Sequence, residues 1–143
     1  MVHLVDEGSH FDAPVEMVWK FVQSADHGTS HRAHENPQVK PLSENSAQVS
    51  WEQDMMGRKV KVVNRVTHHA PLGFTVEVLE GPIAGSKFYQ FYTPKGPKTG
   101  VTIVGEFTSK MIPENQIDAV VRKNFQEVFD EDTAALKKFL AHE

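Results

Sequence analysis

The sequence predicts an α+β domain in which a curved antiparallel sheet wraps one long C-terminal helix. Three observations carry this. From about Glu114 to Ala141 apolar residues recur at three- and four-residue intervals (Ile117, Val120, Val121, Phe125, Val128, Leu136, Phe139, Leu140), interrupted on that face chiefly by Asn124 and Asp132. From Gln38 to Met111 the apolar period drops to two, the mark of strands with one face buried. Glycine and proline break those runs where hairpins need turns.

Taken in chain order, His3 to Phe11 reads as an extended segment with weak alternation. Asp12-Ala13-Pro14 follows, with Pro14 suited to a first helical turn, and then Val15, Val18, Trp19 and Val22 at i, i+3, i+4 and i+7 predict a short amphipathic helix. The polar, histidine-rich stretch from Ser24 to Asn36 is expected to hold a second brief helix, ended by Pro37. A short strand lies near Val39. Val49, Trp51, Gln53 and Met55 then share one face of a strand, as do Val60, Val62, Asn64, Val66 and His68, with Gly57 at the turn between them. Pro71-Leu72-Gly73 leads into Phe74, Val76 and Val78, and Gly81-Pro82 to Gly85 into the aromatic run Phe88 to Tyr92, whose parity stays open because both faces carry aromatics. Pro94 to Lys98 turns the chain into Val101, Ile103, Gly105 and Phe107. The predicted order is strand, two short helices, six strands and the long helix.

Composition narrows the function classes. A chain of 143 residues with 39% hydrophobic content suits one domain with a real core, spanning residues 1–143. A formal charge of -4, spread along the chain, lacks the basic field that draws phosphate backbones, so nucleic acid is not an expected partner. There is no cysteine, which excludes disulfides, thiolate metal sites and thiol catalysis and makes the cytoplasm the default location. Apolar runs are only a few residues long, against about 20 for a membrane span, so no integral membrane association is expected. A homodimer is left open.

Phe11-Asp12-Ala13-Pro14-Val15-Glu16-Met17-Val18-Trp19 resembles the opening strand-to-helix signature of START-like domains, the Bet v 1-like or polyketide cyclase/dehydrase and lipid transport superfamily. Thr99 to Phe107 is similar to that group's late strand, and Gly81-Pro82 to Gly85 to the turn before it. With the terminal helix, the resemblance spans nearly the whole chain. It implies a helix-grip fold with a hydrophobic cavity between sheet and helix. It does not imply one chemistry, because members bind lipids, sterols, polyketides or plant hormones, cyclise or dehydrate polyketides, or act as cochaperones or oxygenase domains.

If the sheet grips the helix loosely, the inward face becomes a pocket wall. Trp51, Val66, Phe74, Val76, Ile103 and Phe107 from strands, with Val121, Phe125 and Val128 from the helix, are the expected apolar lining. Gln53, Asn64 and His68 interrupt the same faces, and Gln90 joins them on one parity of its strand. An unpaired buried polar group costs about 1–3 kcal/mol, so each needs a local partner or a ligand carbonyl or hydroxyl. Large residues such as Trp51 and Phe125 are also able to fill the space outright.

Eight histidines occur, and His27, His31 and His34 would share one helical face beside Asp26 and Glu35. That spacing can bind zinc, yet no zinc-enzyme motif surrounds it, and a solvated polar loop at the cavity rim is the preferred reading. No cofactor is implied: nucleotide-binding glycine loops, a Gly-x-Ser-x-Gly elbow and a Cys/His iron–sulfur pattern are all missing.

Three functions therefore compete. The leading one is binding of a hydrophobic small molecule, lipid-like or polyketide-like. The second is a cyclase or dehydratase using acid–base chemistry, with His68 as acid or base, Asn64 or Gln53 holding an oxygen, and Tyr89 or Tyr92 as a further proton donor. The third is a cochaperone-like interaction domain, which needs an exposed apolar patch on the outer sheet. Lys59, Lys61, Arg65, Thr67, Thr75 and Glu77 argue for water there, with Val63 and Leu79 as exceptions.

Overall fold

A computed structural model describes residues 1–24, 27, 34–55 and 57–142, with Met55 described by its backbone alone. Its elements run β1 (Val2–Phe11), α1 (Val15–Val22), β2 (Glu35–Pro41), β3 (Ser46–Met55), β4 (Arg58–His68), β5 (Gly73–Glu80), β6 (Lys87–Lys95), β7 (Lys98–Phe107) and α2 (Glu114–Ala141). The strands form one seven-stranded sheet in the order β1-β7-β6-β5-β4-β3-β2. Every neighbouring pair is antiparallel, so hairpins account for each connection from β2 to β7 while β1 pairs across to the last strand. This is the predicted architecture of a sheet around a terminal helix.

Among the described residues there are two helices, one short and one long, where three were expected. The second short helix was placed on Ser24 to Asn36, and residues 25–26 and 28–33 of that stretch lie outside the described set; Glu35 and Asn36 belong to β2. Pro14 proves to be the N-cap of α1 rather than a residue of its first turn, because its extended backbone (ψ 157°) precedes the helix while its carbonyl accepts from the amides of Met17 and Val18.

Register settles the parity that the sequence left open. Val76 faces Phe88, Phe74 faces Gln90, and Gln90 faces Ile103, so Phe88, Gln90 and Tyr92 share the inner face, and Tyr89 and Phe91 point outward. Strands β6 and β7 approach closely at Gly105, where an added Cβ would lie 2.5 Å from Phe88 Cβ and 2.7 Å from the Lys87 carbonyl oxygen. Glycine there lets the Phe88 ring reach Phe107 and Phe125 without forcing the strands apart.

The helix α2 buries Ile117, Val121, Phe125, Asp132 and Leu136, the stripe at near-helical spacing that the sequence predicts. Two apolar clusters result. One joins Leu4, Val76, Val78, Phe88, Ile103 and Phe107 of the sheet to Ile117, Val121 and Phe125. The other joins Phe11, Val15, Val18, Trp19 and Phe21 to Tyr92, Val101 and Leu136. Buried Thr99 ties them to the α1 entry by donating to the Ala13 carbonyl at 2.7 Å. Val128, an expected lining residue, belongs to neither cluster; Phe129, one position on, packs against the second and stacks on Phe11 at 4.9 Å.

Candidate functional site

The clusters divide the expected pocket wall in two. Val76, Ile103, Phe107, Val121 and Phe125 are buried core, with Phe125 set edge-on to Phe88 at 5.1 Å and to Phe107 at 5.8 Å. The space remaining there, lined by Asp6, Ser9, Val101, Ile103, Phe125, Gln126 and Phe129, is about 20 Å³. That admits about one water molecule, and this half of the sheet–helix interface is packed by the buried side chains of the first cluster. A second hollow of about 420 Å³ lies between the β5–β6 turn and the β7–α2 connection, at Gly81, Pro82, Ala84, Gly85, Thr108, Lys110 and Met111. None of the predicted site residues lines it.

The other half is less fully covered by the described residues. Trp51, Gln53, Asn64, Val66, His68, Phe74 and Gln90 lie on the inner face of β3 to β6, and each is only half-buried. No residue of β2 or β3 enters either cluster, because α2 packs over β1, β7, β6 and β5 and stops short of them. A face of large apolar side chains is thus left partly uncovered by the described residues, next to a dense core. Its inner end is an aromatic corner: the His68 ring meets Trp19 edge-on at 5.5 Å and Phe74 at 6.2 Å, and Tyr92 stands 6.4 Å from Trp19 and 6.3 Å from Phe74.

The four polar interruptions separate just as clearly. Gln53 Oε1 accepts from Trp51 Nε1 at 2.7 Å, and Gln90 Nε2 donates to Tyr92 Oη at 3.0 Å, so both bond within their own strand. Asn64 Oδ1 and His68 Nδ1 are buried and have no hydrogen-bond partner among the described residues. They sit four residues apart on one face of β4, roughly 13 Å along the strand. At that spacing one small polar group cannot bond to both, so an oxygen held by Asn64 and a proton moved by His68 would belong to different parts of one longer ligand. In Gln53 the bond to Trp51 occupies Oε1, and a ligand oxygen would be held by its Nε2 amide.

Burial, then His69 and His27, push the His68 imidazole below the ordinary histidine range, which keeps it neutral at pH 7. Tyr92 is driven the other way. Burial and the nearby Asp132 carboxylate raise its phenol well above the usual tyrosine range, with the Gln90 hydrogen bond opposing, so it is a persistent O–H group and not a base.

Asp132 is the residue that sequence reasoning passed over. It appears there only as a break in the apolar stripe of the long helix, although a carboxylate on a core-facing position is itself a signal. It is 6% exposed and lies 3.2 Å from His27 Nε2. His27 also meets Phe21 edge-on at 5.2 Å, while His34 stacks on Trp51 at 4.0 Å. Of the three histidines weighed as metal ligands, two are therefore engaged with different neighbours, and His31 lies outside the described residues. Among the described residues no group of three or more His, Cys, Asp or Glu side chains is placed to hold a metal ion.

The outer face departs from expectation. Val63, counted as outward and exposed, is buried at a β4–β5 irregularity, and Tyr89 and Phe91 stack at 5.8 Å in parallel planes beside exposed Val104 and Val5. Among the described residues no helix is long and apolar enough to cross a membrane.

A family model described as polyketide cyclase/dehydrase and lipid transport matches residues 2–141. No curated protein matches the sequence. The fold is similar to that of the Zhui aromatase/cyclase from Streptomyces sp. R1128, with a TM-score of 0.80 at 11% identity over 97% of this chain and 95% of that one. It is similar to a START superfamily protein from Mycobacterium smegmatis, with a TM-score of 0.75 at 9% identity over 96% and 99% of the two chains. Ara h 8.0201 gives a TM-score of 0.72 at 10% identity over 96% and 98%. At such identities the likeness is one of fold.

Proposed function

The chain belongs to the polyketide cyclase/dehydrase and lipid transport family, and from that premise we propose that it binds a hydrophobic small molecule, lipid-like or polyketide-like, on the open half of its inner sheet face. The observation that carries this reading is the pair of orphaned atoms, Asn64 Oδ1 and His68 Nδ1, set in a half-buried wall of Trp51, Val66 and Phe74. Each orphan costs about 1–3 kcal/mol until something bonds to it; a ligand hydroxyl can donate to Asn64 Oδ1, and a hydroxyl or, where Nδ1 carries the proton, a carbonyl can pair with His68. Apolar area supplies the affinity, at roughly 25 cal/mol per Å² removed from water. Val76, Ile103, Phe107, Val121 and Phe125 form the packed core beside that wall.

The chain has two tryptophans, Trp19 in the aromatic corner and Trp51 on the open face, so intrinsic fluorescence reports occupancy. Titration with a panel of alkyl chains, sterols and fused-ring aromatics should give saturable quenching for at least one class. Trp51→Phe should retain binding through Trp19 emission, and Trp51→Ala should weaken it about tenfold or more. A panel that leaves both tryptophans unmoved at its solubility limits counts against the reading.

A cyclase or dehydratase is the second reading, favoured by one specific feature: His68 is kept neutral on the inner face, the state in which an imidazole accepts a proton. The Zhui protein is named an aromatase/cyclase. His68→Ala separates the two, because turnover is lost under this reading while affinity changes modestly under the first.

A further inference from the structure

Resting on the binding reading, we infer that the site selects neutral, hydroxyl-bearing ligands and rejects carboxylates of the same skeleton. Charge placement is the argument. Every lysine and arginine among the described residues is exposed. Lys59, Lys61 and Arg65 stand on the outer face of β4; Arg58 shares the inner parity but sits at the hairpin end, roughly 20 Å along the strand from Asn64. The inner side carries a carboxylate instead: Asp132, buried on α2 and near enough to Tyr92 to raise its phenol, whereas Asp6 shares the inner parity but lies on β1, in the filled half.

The imidazoles do not compensate. His68 is neutral for the reasons given above, and His27 already faces the Asp132 carboxylate at 3.2 Å. A ligand carboxylate on this face gives up part of its water shell, gains no described cation in return, and meets the negative charge of Asp132. A hydroxyl suits it better. It both donates and accepts, so it can satisfy Asn64 whichever end of the amide faces the ligand or, at the other position, His68 in either tautomer. A carboxylate only accepts.

The test uses matched pairs at pH 7.5, 2-naphthol against 2-naphthoate and dodecanol against dodecanoate, with the full chain and calorimetry or tryptophan quenching. For the skeleton that binds, the alcohol should be at least tenfold tighter, about 1.4 kcal/mol. Asp132→Asn, which removes a negative charge while keeping size, should shrink that ratio at least threefold. If the variant does not fold, the wild-type ratio alone decides. Equal affinities, or a tighter carboxylate, overturn the inference and leave the binding reading standing. If neither member of either pair binds, and the wider panel also fails, both fall together.

Discussion

Replacing Phe125 by alanine asks directly whether the sheet–helix interface is filled or hollow. The ring is 9% exposed and makes edge contacts with Phe88 and Phe107 in the larger core cluster. Its neighbours in that cluster are themselves buried and packed, so they have little slack with which to collapse into the gap. A buried Phe→Ala change of this kind costs about 3–5 kcal/mol, the upper part applying where relaxation is limited. With m near 2 kcal/mol per molar, the urea midpoint should fall by roughly 2 M. At about 3 °C per kcal/mol for a chain of this size, Tm should drop by about 10 °C or more.

Trp51→Ala is the companion. That ring is half-exposed, stacked on His34 and bonded to Gln53, and its loss should cost less than about 2 kcal/mol. It should nevertheless weaken ligand binding about tenfold, whereas Phe125→Ala, measured on folded protein, should leave affinity within about threefold. A Phe125→Ala cost below about 1 kcal/mol would mean that the ring faces empty space, and the division into packed and open halves would be wrong.

Other predictions concern titration and anchoring. Because the folded-state pKa of His68 is depressed, the unfolded chain binds more protons below about pH 6.5, and stability should fall as pH drops through that window. His68→Gln should flatten this slope relative to wild type in urea titrations at pH 5 to 7.5, and an unchanged slope would rule out the buried neutral imidazole. Tyr92 should give no tyrosinate absorbance at 295 nm through the ordinary range near pH 10 while the protein stays folded; the Tyr92→Phe difference spectrum isolates it, and ionisation near pH 10 would contradict its burial. Thr99→Val removes the hydroxyl that donates to the Ala13 carbonyl and leaves that acceptor unsatisfied, which should cost about 1–3 kcal/mol. A neutral result in chemical denaturation would show that the contact does not anchor α1.

The fold was legible because two periods coexist in one chain: a two-residue alternation through Val49 to Met55 and Val60 to Val66, and a helical stripe through Ile117 to Leu136. The turn residues then leave hairpins as the economical connection, and the pairing of β1 with β7 closes the order. Inner-face membership was legible too, since Trp51, Asn64, Val66, His68, Phe74 and Val76 all share the side that periodicity assigns them. What periodicity could not convey is depth. An inward residue under α2, such as Ile103, is buried, whereas an inward residue on β3, such as Trp51, is half-exposed, and both alternate identically in sequence. The difference lies in how far one helix reaches across a seven-stranded sheet.

Convergence was equally invisible. Asn64 and His68 share a face, which suggested a joint role, yet pleated geometry keeps them roughly 13 Å apart. Asp132 reads in the sequence only as an interruption of the apolar stripe, and its pairing with His27 depends on a contact between residues 105 positions apart. Tyr89 and Phe91 were ambiguous until the register with β5 and β7 set their direction.

Native mass spectrometry of gently purified protein, followed by solvent extraction of whatever accompanies the chain, tests the central claim most directly. The account predicts a discrete neutral apolar guest, or stoichiometric uptake of one from a lipophile panel, that Trp51→Ala releases and Phe125→Ala retains. A clean unliganded mass with no uptake from any class would contradict it.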